Sequence, residues 1–263
     1  MCSSLGWSIA WFGFDVDNFS DAASRSHLVF IHGAGMGPWM WDAQRAAFGE
    51  RFHVHTPTLP GHDLTTSEDY TTHAQAAESI AEQIQLDALE GDVVIVGFSV
   101  GGQVAIEFAT KFASRVTHTA VMSSLVRPWR LAALYVSLAG LAAPLAKRRD
   151  FARLQASQIG LLDSDIDAYV ELSRHLSTTT LRNIVRTNFS FSPPAEFIRS
   201  PRPVLLLAGD REQRTLINNL RTLSERVPAG RFELAAGTAH SAPFTAPDYV
   251  NGVVSDWLAL DRV

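Results

Sequence analysis

The stretch Gly97-Phe98-Ser99-Val100-Gly101 decides the fold that this sequence predicts. It follows the apolar run 93–96 and precedes a segment, 102–112, with the apolar spacing of a helix. In that setting Gly-x-Ser-x-Gly describes a sharp strand-to-helix turn that exposes a serine hydroxyl. Glycine on either side of the serine avoids side-chain collisions in so tight a turn. Ser99 is therefore a candidate nucleophile, whereas the same letters in an isolated loop would carry no chemistry.

Strand-like and helix-like segments alternate on both sides of this turn, which predicts parallel strands joined by helical crossovers. The expected fold is an α/β protein with a mostly parallel, doubly wound sheet. Residues 8–16 are a candidate edge strand. The clearer strands are predicted at 27–31, 51–56, 93–96, 116–122, 203–208 and 231–234. Helices are predicted at 39–48, 77–88, 102–112, 163–176, 178–187, 215–226 and 247–258.

The alternation stops between residues 126 and 192, where no strand pattern is visible. We therefore expect a core formed by residues 1–125 and 193–263, interrupted by a helical insertion at 126–192. Within the insertion, residues 131–146 are strongly apolar and flanked by basic residues. This stretch is too short to span a membrane and contains Gly140 and Pro144. An apolar helix that faces the active-site pocket explains it better than an interfacial helix does.

Composition and charge narrow the classes of function. The chain has 263 residues, 46% hydrophobic residues and a formal net charge of −5, as expected for a soluble globular protein. The acidic balance argues against a nucleic-acid partner. A single cysteine, Cys2, excludes an intramolecular disulfide and favours a reducing, cytoplasmic location. No signal peptide and no transmembrane segment is expected, and the oligomeric state is left open.

Polar residues follow several of the predicted strands. His32-Gly33-Ala34 comes after the first clear strand and Ser99 after the strand at 93–96. Two acids, Asp210 and Glu212, follow the strand at 203–208, and His240 follows the strand at 231–234. Ligands of open parallel sheets bind at the carboxyl ends of the strands. A serine, an acid and a histidine are therefore expected to meet at that edge.

These motifs, together with Pro60-Gly61-His62, resemble the α/β-hydrolase fold superfamily across about residues 27–260. The resemblance implies a serine hydrolase in which Ser99 is the nucleophile and His240 is the general base. It also implies an oxyanion hole formed by the backbone N–H groups of Val100 and Ala34. A helical cap inserted after the sixth strand, at about residues 126–192, belongs to the same pattern.

The identity of the catalytic acid stays open between two residues. The spacing typical of the family selects Glu212, three residues after Gly209, whereas aspartate is the commoner residue in the role and keeps Asp210 as the alternative. The chain also departs from the family at Thr58 and Asp63, where aspartate and glycine are common. Both departures affect the mouth of the site and neither affects the triad.

Residues beside the nucleophile are candidates for contact with substrate. These are Gly33, Phe98 and Trp39, although packing in the core explains Trp39 equally well. His53 and His55 share one face of a predicted strand, but no third ligand is near them in sequence. We therefore expect no metal site, and the chemistry implied by the resemblance needs no cofactor.

The leading functional hypothesis is hydrolysis of a carboxylic ester or lactone of a small-to-medium, mostly apolar substrate through an acyl-enzyme. One alternative is hydrolysis of a C–C bond in a diketone-like compound. Another is a non-catalytic ligand-binding receptor of the same fold. Dehalogenase and epoxide hydrolase activities are disfavoured because those relatives need an aspartate at the position of Ser99.

Overall fold

The computed structural model of the protein describes residues 25–66, 68–129, 136 and 147–260. The predicted edge strand at 8–16 and Cys2 lie outside these residues, and so does the apolar stretch 131–146 apart from residue 136. Among the helices in the described ranges, none has the length and apolar character needed to cross a membrane.

The described strands form one parallel sheet in the order β2-β1-β3-β4-β5-β6. After β2 the chain crosses back to the other side of β1, so the strand order reverses between β1 and β3. Such a reversal opens a crevice at the carboxyl ends of the two strands. The strands are β1 (His27–Ile31), β2 (His53–His55), β3 (Val93–Phe98), β4 (Val116–Met122), β5 (Val204–Gly209) and β6 (Gly230–Ala235).

Helices connect the strands and cover both faces of the sheet. Short 3₁₀ turns lie at Pro38–Trp41 and Leu86–Ala88. The α-helices are α1 (Asp42–Phe48), α2 (His73–Gln83), α3 (Val100–Lys111), α4 (Arg149–Ile159), α5 (Asp163–His175), α6 (Thr178–Ser190), α7 (Ala195–Arg199), α8 (Arg214–Arg226), α9 (Ala242–Thr245) and α10 (Pro247–Leu260).

The core consists of two apolar layers, one on each face of the sheet. Alternate strand residues such as Ile31 and Ile95 pack with α2, α3 and α8 on one face. Their neighbours, such as Phe30 and Val96, pack with α1 and α10 on the other face. Strands that are buried on both faces explain the continuous apolar runs in the sequence.

The predicted α/β architecture is confirmed, including the strand and helix on either side of Ser99. Thr72 caps α2, since its hydroxyl accepts a hydrogen bond from the Gln75 N–H at 3.1 Å. Helices α4, α7 and α9 were not expected from the sequence. Helices α4 to α6 lie within 126–192, but the bounds of the insertion and its place after the sixth strand stay predictions, because residues 1–24 are outside the described ranges.

Candidate active site

Ser99 occupies the tight turn between β3 and α3. Its backbone has φ 54° and ψ −120°, a conformation that is uncommon for residues other than glycine. Two main-chain hydrogen bonds hold it: the Ser99 N–H donates to the Met122 carbonyl at 2.8 Å, and the Gly102 N–H donates to the Ser99 carbonyl at 3.0 Å. The serine is thus fixed at the carboxyl edge of the sheet with its side chain half-exposed.

The glycines around Ser99 are required by packing. A methyl group on Gly97 would overlap the carbonyl oxygen of Gly101, and one on Gly101 would overlap the carbonyls of Ile31 and His32. The turn therefore requires glycine at both positions, because the end of β1 packs directly against the backbone of Gly101. This close approach brings the loop after β1 next to the serine.

Replacing Gly97 by alanine is expected to lower the free energy of unfolding by about 3 kcal/mol, because the new methyl group has no space. Gly252→Ala is the matched control. A methyl group on Gly252, inside α10, meets nothing within 4 Å. Because alanine is favoured over glycine inside a helix, the free energy of unfolding of this variant should rise by about 0.5–1 kcal/mol. Urea unfolding of both variants checks the pair. Equal stability of Gly97→Ala and wild type would contradict the described turn.

Glu212 lies in the loop after β5 and is held by three groups. The Ser123 hydroxyl donates to its Oε1 at 2.6 Å, and the Gly209 N–H donates to the same oxygen at 3.0 Å. Its Oε2 lies 3.2 Å from Nδ1 of His240. Burial raises the pKa of Glu212, but these hydrogen bonds and the charge of His240 outweigh burial and leave the pKa below its usual value. A carboxylate is therefore maintained beside the imidazole.

Asp210, the alternative acid, lies in the same loop but in a different environment. Its side chain is exposed, and its backbone N–H donates to the Ala235 carbonyl at 3.1 Å. The loop is placed by Gly209, where a methyl group would overlap the carbonyls of Thr238 and Ala239. This contact brings Glu212 close to His240 while Asp210 faces solvent.

His240 is supported on one side by an aromatic ring. The ring centroid of Phe98 lies 4.9 Å from that of His240, and Phe98 itself is fully buried. Phe98 also contacts Phe244 in α9, edge to face, at 5.5 Å between centroids. Phe98 therefore packs against the imidazole ring of His240. Because Nδ1 of His240 faces Glu212, Nε2 is the nitrogen left for a proton from a reacting group.

The loop after β1 passes beside Ser99. A methyl group on Gly33 would lie 2.9 Å from the Phe98 ring and 3.3 Å from Cβ of Ser99, so only glycine fits without displacement. Ala34 follows it and is half-buried. Val100 is the first residue of α3, and an N–H group in the first turn of a helix has no acceptor within that helix. These two backbone segments flank the serine.

Two buried histidines hold this loop in place. His32 accepts a hydrogen bond at Nε2 from the Leu59 N–H, and His62 accepts one at Nε2 from the Gly35 N–H, both at 3.0 Å. Their Nδ1 atoms lie 2.9 and 3.0 Å from the carbonyls of Gly33 and Pro60, respectively. Both rings are therefore neutral and carry the proton on Nδ1. They satisfy backbone groups of the two loops.

The neutral state of these histidines predicts a pH-dependent stability. Burial, with a smaller effect of His62, lowers the pKa of His32 to about 3, and burial lowers that of His62 to about 4. A lowered pKa stabilises the fold above pH 6.5, and this stability is lost as the pH falls from 6.5 toward those values. Between pH 7 and 5 we expect a loss approaching 1.4 kcal/mol per pH unit for each ring.

Urea unfolding at pH 7, 6 and 5 measures this effect. These pH values lie above the usual pKa range of carboxylates, so the measurement reports mainly on histidines. His175→Gln, at the exposed end of α5, is the control and should keep the wild-type slope. His62→Gln should reduce the slope. A free energy of unfolding that stays constant from pH 7 to 5 would contradict the neutral, buried state of both rings.

Ser99, Glu212 and His240 line one cavity of about 410 Å³ at the carboxyl edge of the sheet. The apolar walls come from the segment after β4 and from helices α6 and α8, through Leu125, Trp129, Phe189 and Leu216. Polar groups are contributed by Ser123, Asn188, Arg211 and Gln213. Of the predicted substrate contacts, Trp39 packs half-buried against the layer that contains α1 and α10. Gly33 and Phe98 pack against each other behind the serine.

Sequence reasoning missed Ser123, the hydroxyl that holds Glu212. It directly follows β4 and has a positive φ of 54°, with its N–H bonded to the Leu207 carbonyl at 2.8 Å. Its position after a strand was the signal that could have identified it.

The described residues contain no group of three or more His, Cys, Asp or Glu side chains able to hold a metal ion. Of the two histidines considered for metal binding, His55 instead places Nε2 2.9 Å from Nδ1 of His27.

A strand-to-helix serine, an acid after β5 and a histidine after β6 are shared features of one large family. The model of the alpha/beta hydrolase family matches residues 28–253. The chain belongs to this family. The match covers every described strand except the first residue of β1, together with Ser99, Glu212 and His240.

Curated relatives of this hydrolase include methyl ester esterases. It is 32% identical over 101 residues to the pimeloyl-[acyl-carrier protein] methyl ester esterase of Aromatoleum aromaticum, a match that covers 38% of each chain. It is 28% identical over 124 residues to the protein of that name in Vibrio cholerae, covering 47% of this chain and 42% of the relative. The hydrolase thus matches less than half the length of these relatives.

Solved structures resemble this hydrolase over most of its length. A thermophilic esterase from Thermogutta terrifontis superposes with a TM-score of 0.73 at 19% identity, covering 92% of both chains. The enol-lactonase from Burkholderia xenovorans LB400 superposes with a TM-score of 0.71 at 16% identity, covering 90% of this chain and 92% of that one. At these identities the likeness establishes the fold.

Proposed function

We propose that this hydrolase cleaves a carboxylic ester or lactone through an acyl-enzyme formed on Ser99. The observation that carries the proposal is that Ser99, His240 and Glu212 line one cavity, with Oε2 of Glu212 3.2 Å from Nδ1 of His240. A serine becomes nucleophilic when an adjacent base takes its proton and a third group orients that base. The cavity supplies all three groups.

In the proposed mechanism Ser99 Oγ attacks the carbonyl carbon while Nε2 of His240 takes the hydroxyl proton. The charge on the carbonyl oxygen is stabilised by the N–H groups of Val100 and Ala34, which flank the serine. One such donor contributes roughly 3–4 kcal/mol to transition-state stabilisation in a subtilisin. His240 then returns the proton to the leaving alcohol, and water releases the acid by the same steps in reverse.

Glu212 is proposed as the acid of the triad. Its carboxylate is anchored by Ser123 and Gly209 and faces the imidazole, where it stabilises the imidazolium that forms during acyl transfer. The exposed side chain of Asp210 has no comparable support. No metal and no organic cofactor takes part in the proposed reaction.

The walls of the cavity support a small-to-medium, mostly apolar acyl group. Leu125, Trp129, Phe189 and Leu216 provide most of the apolar surface. Three of these wall residues, together with Asn188, lie within or next to residues 126–192, which we propose as the cap over the site. The names of the curated relatives support a methyl ester as the first substrate to test.

A panel of p-nitrophenyl esters, methyl esters of C4 to C10 acids, and γ- and δ-lactones tests the proposal. We expect hydrolysis of at least one ester or lactone with saturation kinetics, and loss of that activity after treatment with a fluorophosphonate. Hydrolysis of none of them by the folded wild-type protein would contradict it. Labelling of Ser99 without turnover would instead favour a ligand-binding receptor of this fold.

A C–C bond hydrolase is the second candidate, and one residue favours it. Arg211 lies on the cavity wall, its side chain is exposed, and it forms no ion pair with any residue that the structure describes. A free guanidinium is suited to bind the carboxylate of an acidic diketone. Loss of diketone absorbance in the presence of the protein, with no activity on esters, would select this function.

A further inference from the structure

Gln103 is a buried polar residue that contacts both walls of the candidate active site. It lies in α3, four residues after Ser99, and its side chain is fully buried. Its Nε2 donates to the Leu125 carbonyl at 2.7 Å and to the Asn188 carbonyl at 3.1 Å. Both acceptor residues line the Ser99 cavity. The two donors of one amide are therefore both used, one for each wall.

The two acceptors lie where the chain leaves the core and where it returns. Leu125 follows β4 directly before residue 126, and Asn188 lies in the last turn of α6. A separate bond joins the same two segments, since the Trp129 N–H donates to the Phe189 carbonyl at 2.8 Å. Gln103 thus connects the nucleophile helix to both ends of the proposed cap.

The two carbonyl acceptors fix the orientation of the Gln103 amide, because only its nitrogen can donate to them. Close to this amide, the Tyr70 hydroxyl contacts Nδ1 of His73. Within the described residues, Nε2 of His73 and Oε1 of Gln103 are both buried without a closed hydrogen bond. Burial lowers the pKa of His73 to about 4, while the Thr187 backbone and, to a smaller extent, the Gln103 side chain shift it in the opposite direction.

We propose that Gln103 is a positioning residue that sets the separation of the two cavity walls and thereby selects the length of the acyl group. This inference rests on the proposed function of the site. Loss of the amide donors would leave two buried carbonyls unpaired and would let the segments at Leu125 and Asn188 shift relative to Ser99. A short substrate needs only the serine and the groups beside it, whereas a long one also needs the walls.

Covalent labelling of Ser99 measures this length selection without relying on turnover. Ser99 Oγ bonds to the phosphorus of a fluorophosphonate, the P–F bond breaks, and fluoride leaves while the proton passes to His240. Second-order rate constants are measured by intact mass for diisopropyl fluorophosphate and for a decyl fluorophosphonate. The quantity of interest is the ratio of the decyl rate to the diisopropyl rate.

Gln103→Met keeps the length of the side chain and removes both donors. We expect the ratio to fall about tenfold, with the diisopropyl rate within about twofold of wild type. The control Gln44→Met removes another buried amide, bonded to the Pro243 carbonyl at 3.3 Å on the other face of the sheet, and should keep the wild-type ratio. An equal fall of both rates in Gln103→Met, or an unchanged ratio, would overturn the proposal.

Gln103→Asn provides a second test if the methionine variant does not fold. It keeps the amide but is one methylene too short to reach both carbonyls, so the ratio should again fall, and an unchanged ratio would overturn the proposal. The outcome is separable from the proposed function. A wild-type protein that is labelled at Ser99 but hydrolyses no ester would contradict the proposed function, while the ratio would still decide the role of Gln103.

Discussion

Ser99→Ala is expected to reduce kcat for ester hydrolysis by a factor of roughly 10⁴ to 10⁶, the range seen when the nucleophile of a serine hydrolase is removed. The loss is large because the acyl-enzyme can no longer form and only binding and the oxyanion donors remain. The fold should be retained, since the bonds that hold Ser99 are made by its main chain, to Met122 and Gly102.

Steady-state kinetics on the best ester of the panel, with unfolding curves for each protein, checks this result. Ser255→Ala is the matched control. Ser255 lies on α10, outside the cavity lining, and its hydroxyl accepts a hydrogen bond from Arg51, so activity should be unchanged. A Ser99→Ala protein that keeps more than about a tenth of the wild-type kcat would place the nucleophile elsewhere.

Glu212→Gln is expected to reduce kcat by about 10² to 10⁴, because an uncharged amide stabilises the imidazolium of His240 far less than a carboxylate does. Asp210→Asn should change kcat by less than about threefold, since its side chain is exposed and is not among the residues that line the cavity. The two substitutions are chemically matched and lie two residues apart in one loop.

Kinetics of both single variants and of the double variant separate the two acids. If Glu212 is the acid, the double variant should have the same kcat as Glu212→Gln alone. If Asp210 partly replaces Glu212 in the single variant, the double variant should have a lower kcat still. Near-wild-type turnover in Glu212→Gln together with a collapse in Asp210→Asn would show that Asp210 orients His240.

The architecture around Ser99 was predictable because local sequence rules specify it. The apolar run before Ser99 predicts a buried strand, and the flanking glycines predict a turn in which side chains do not fit. The structure confirms both, with β3 ending at Phe98 and α3 beginning at Val100.

Contacts between distant parts of the chain were not predictable from one sequence. Ser123 is 89 residues from Glu212, and Gln103 is 85 residues from Asn188. Neither pair has a pattern of spacing or periodicity, because their contacts depend on how the strands are ordered in the sheet. Phe98 was expected to contact substrate, but only the packing of β3 against His240 and α9 shows that its ring supports the imidazole.

Helix α4 escaped prediction for a related reason. Its buried residues, Ala152 and Ala156, are small and form a narrow apolar stripe in an otherwise charged segment. Their burial comes from packing against the rest of the apolar layer, a tertiary contribution that local periodicity does not reveal. A helix was predicted instead in the more apolar stretch at 131–146.

Rapid-quench mass spectrometry with p-nitrophenyl butyrate tests the central claim, that Ser99 carries the acyl group during turnover. The wild-type protein should show, within the first turnover, a mass increase of one butyryl group that maps to the peptide containing Ser99 and disappears once substrate is exhausted. Hydrolysis of the ester with no such adduct, or with the butyryl group on another residue, would contradict the account.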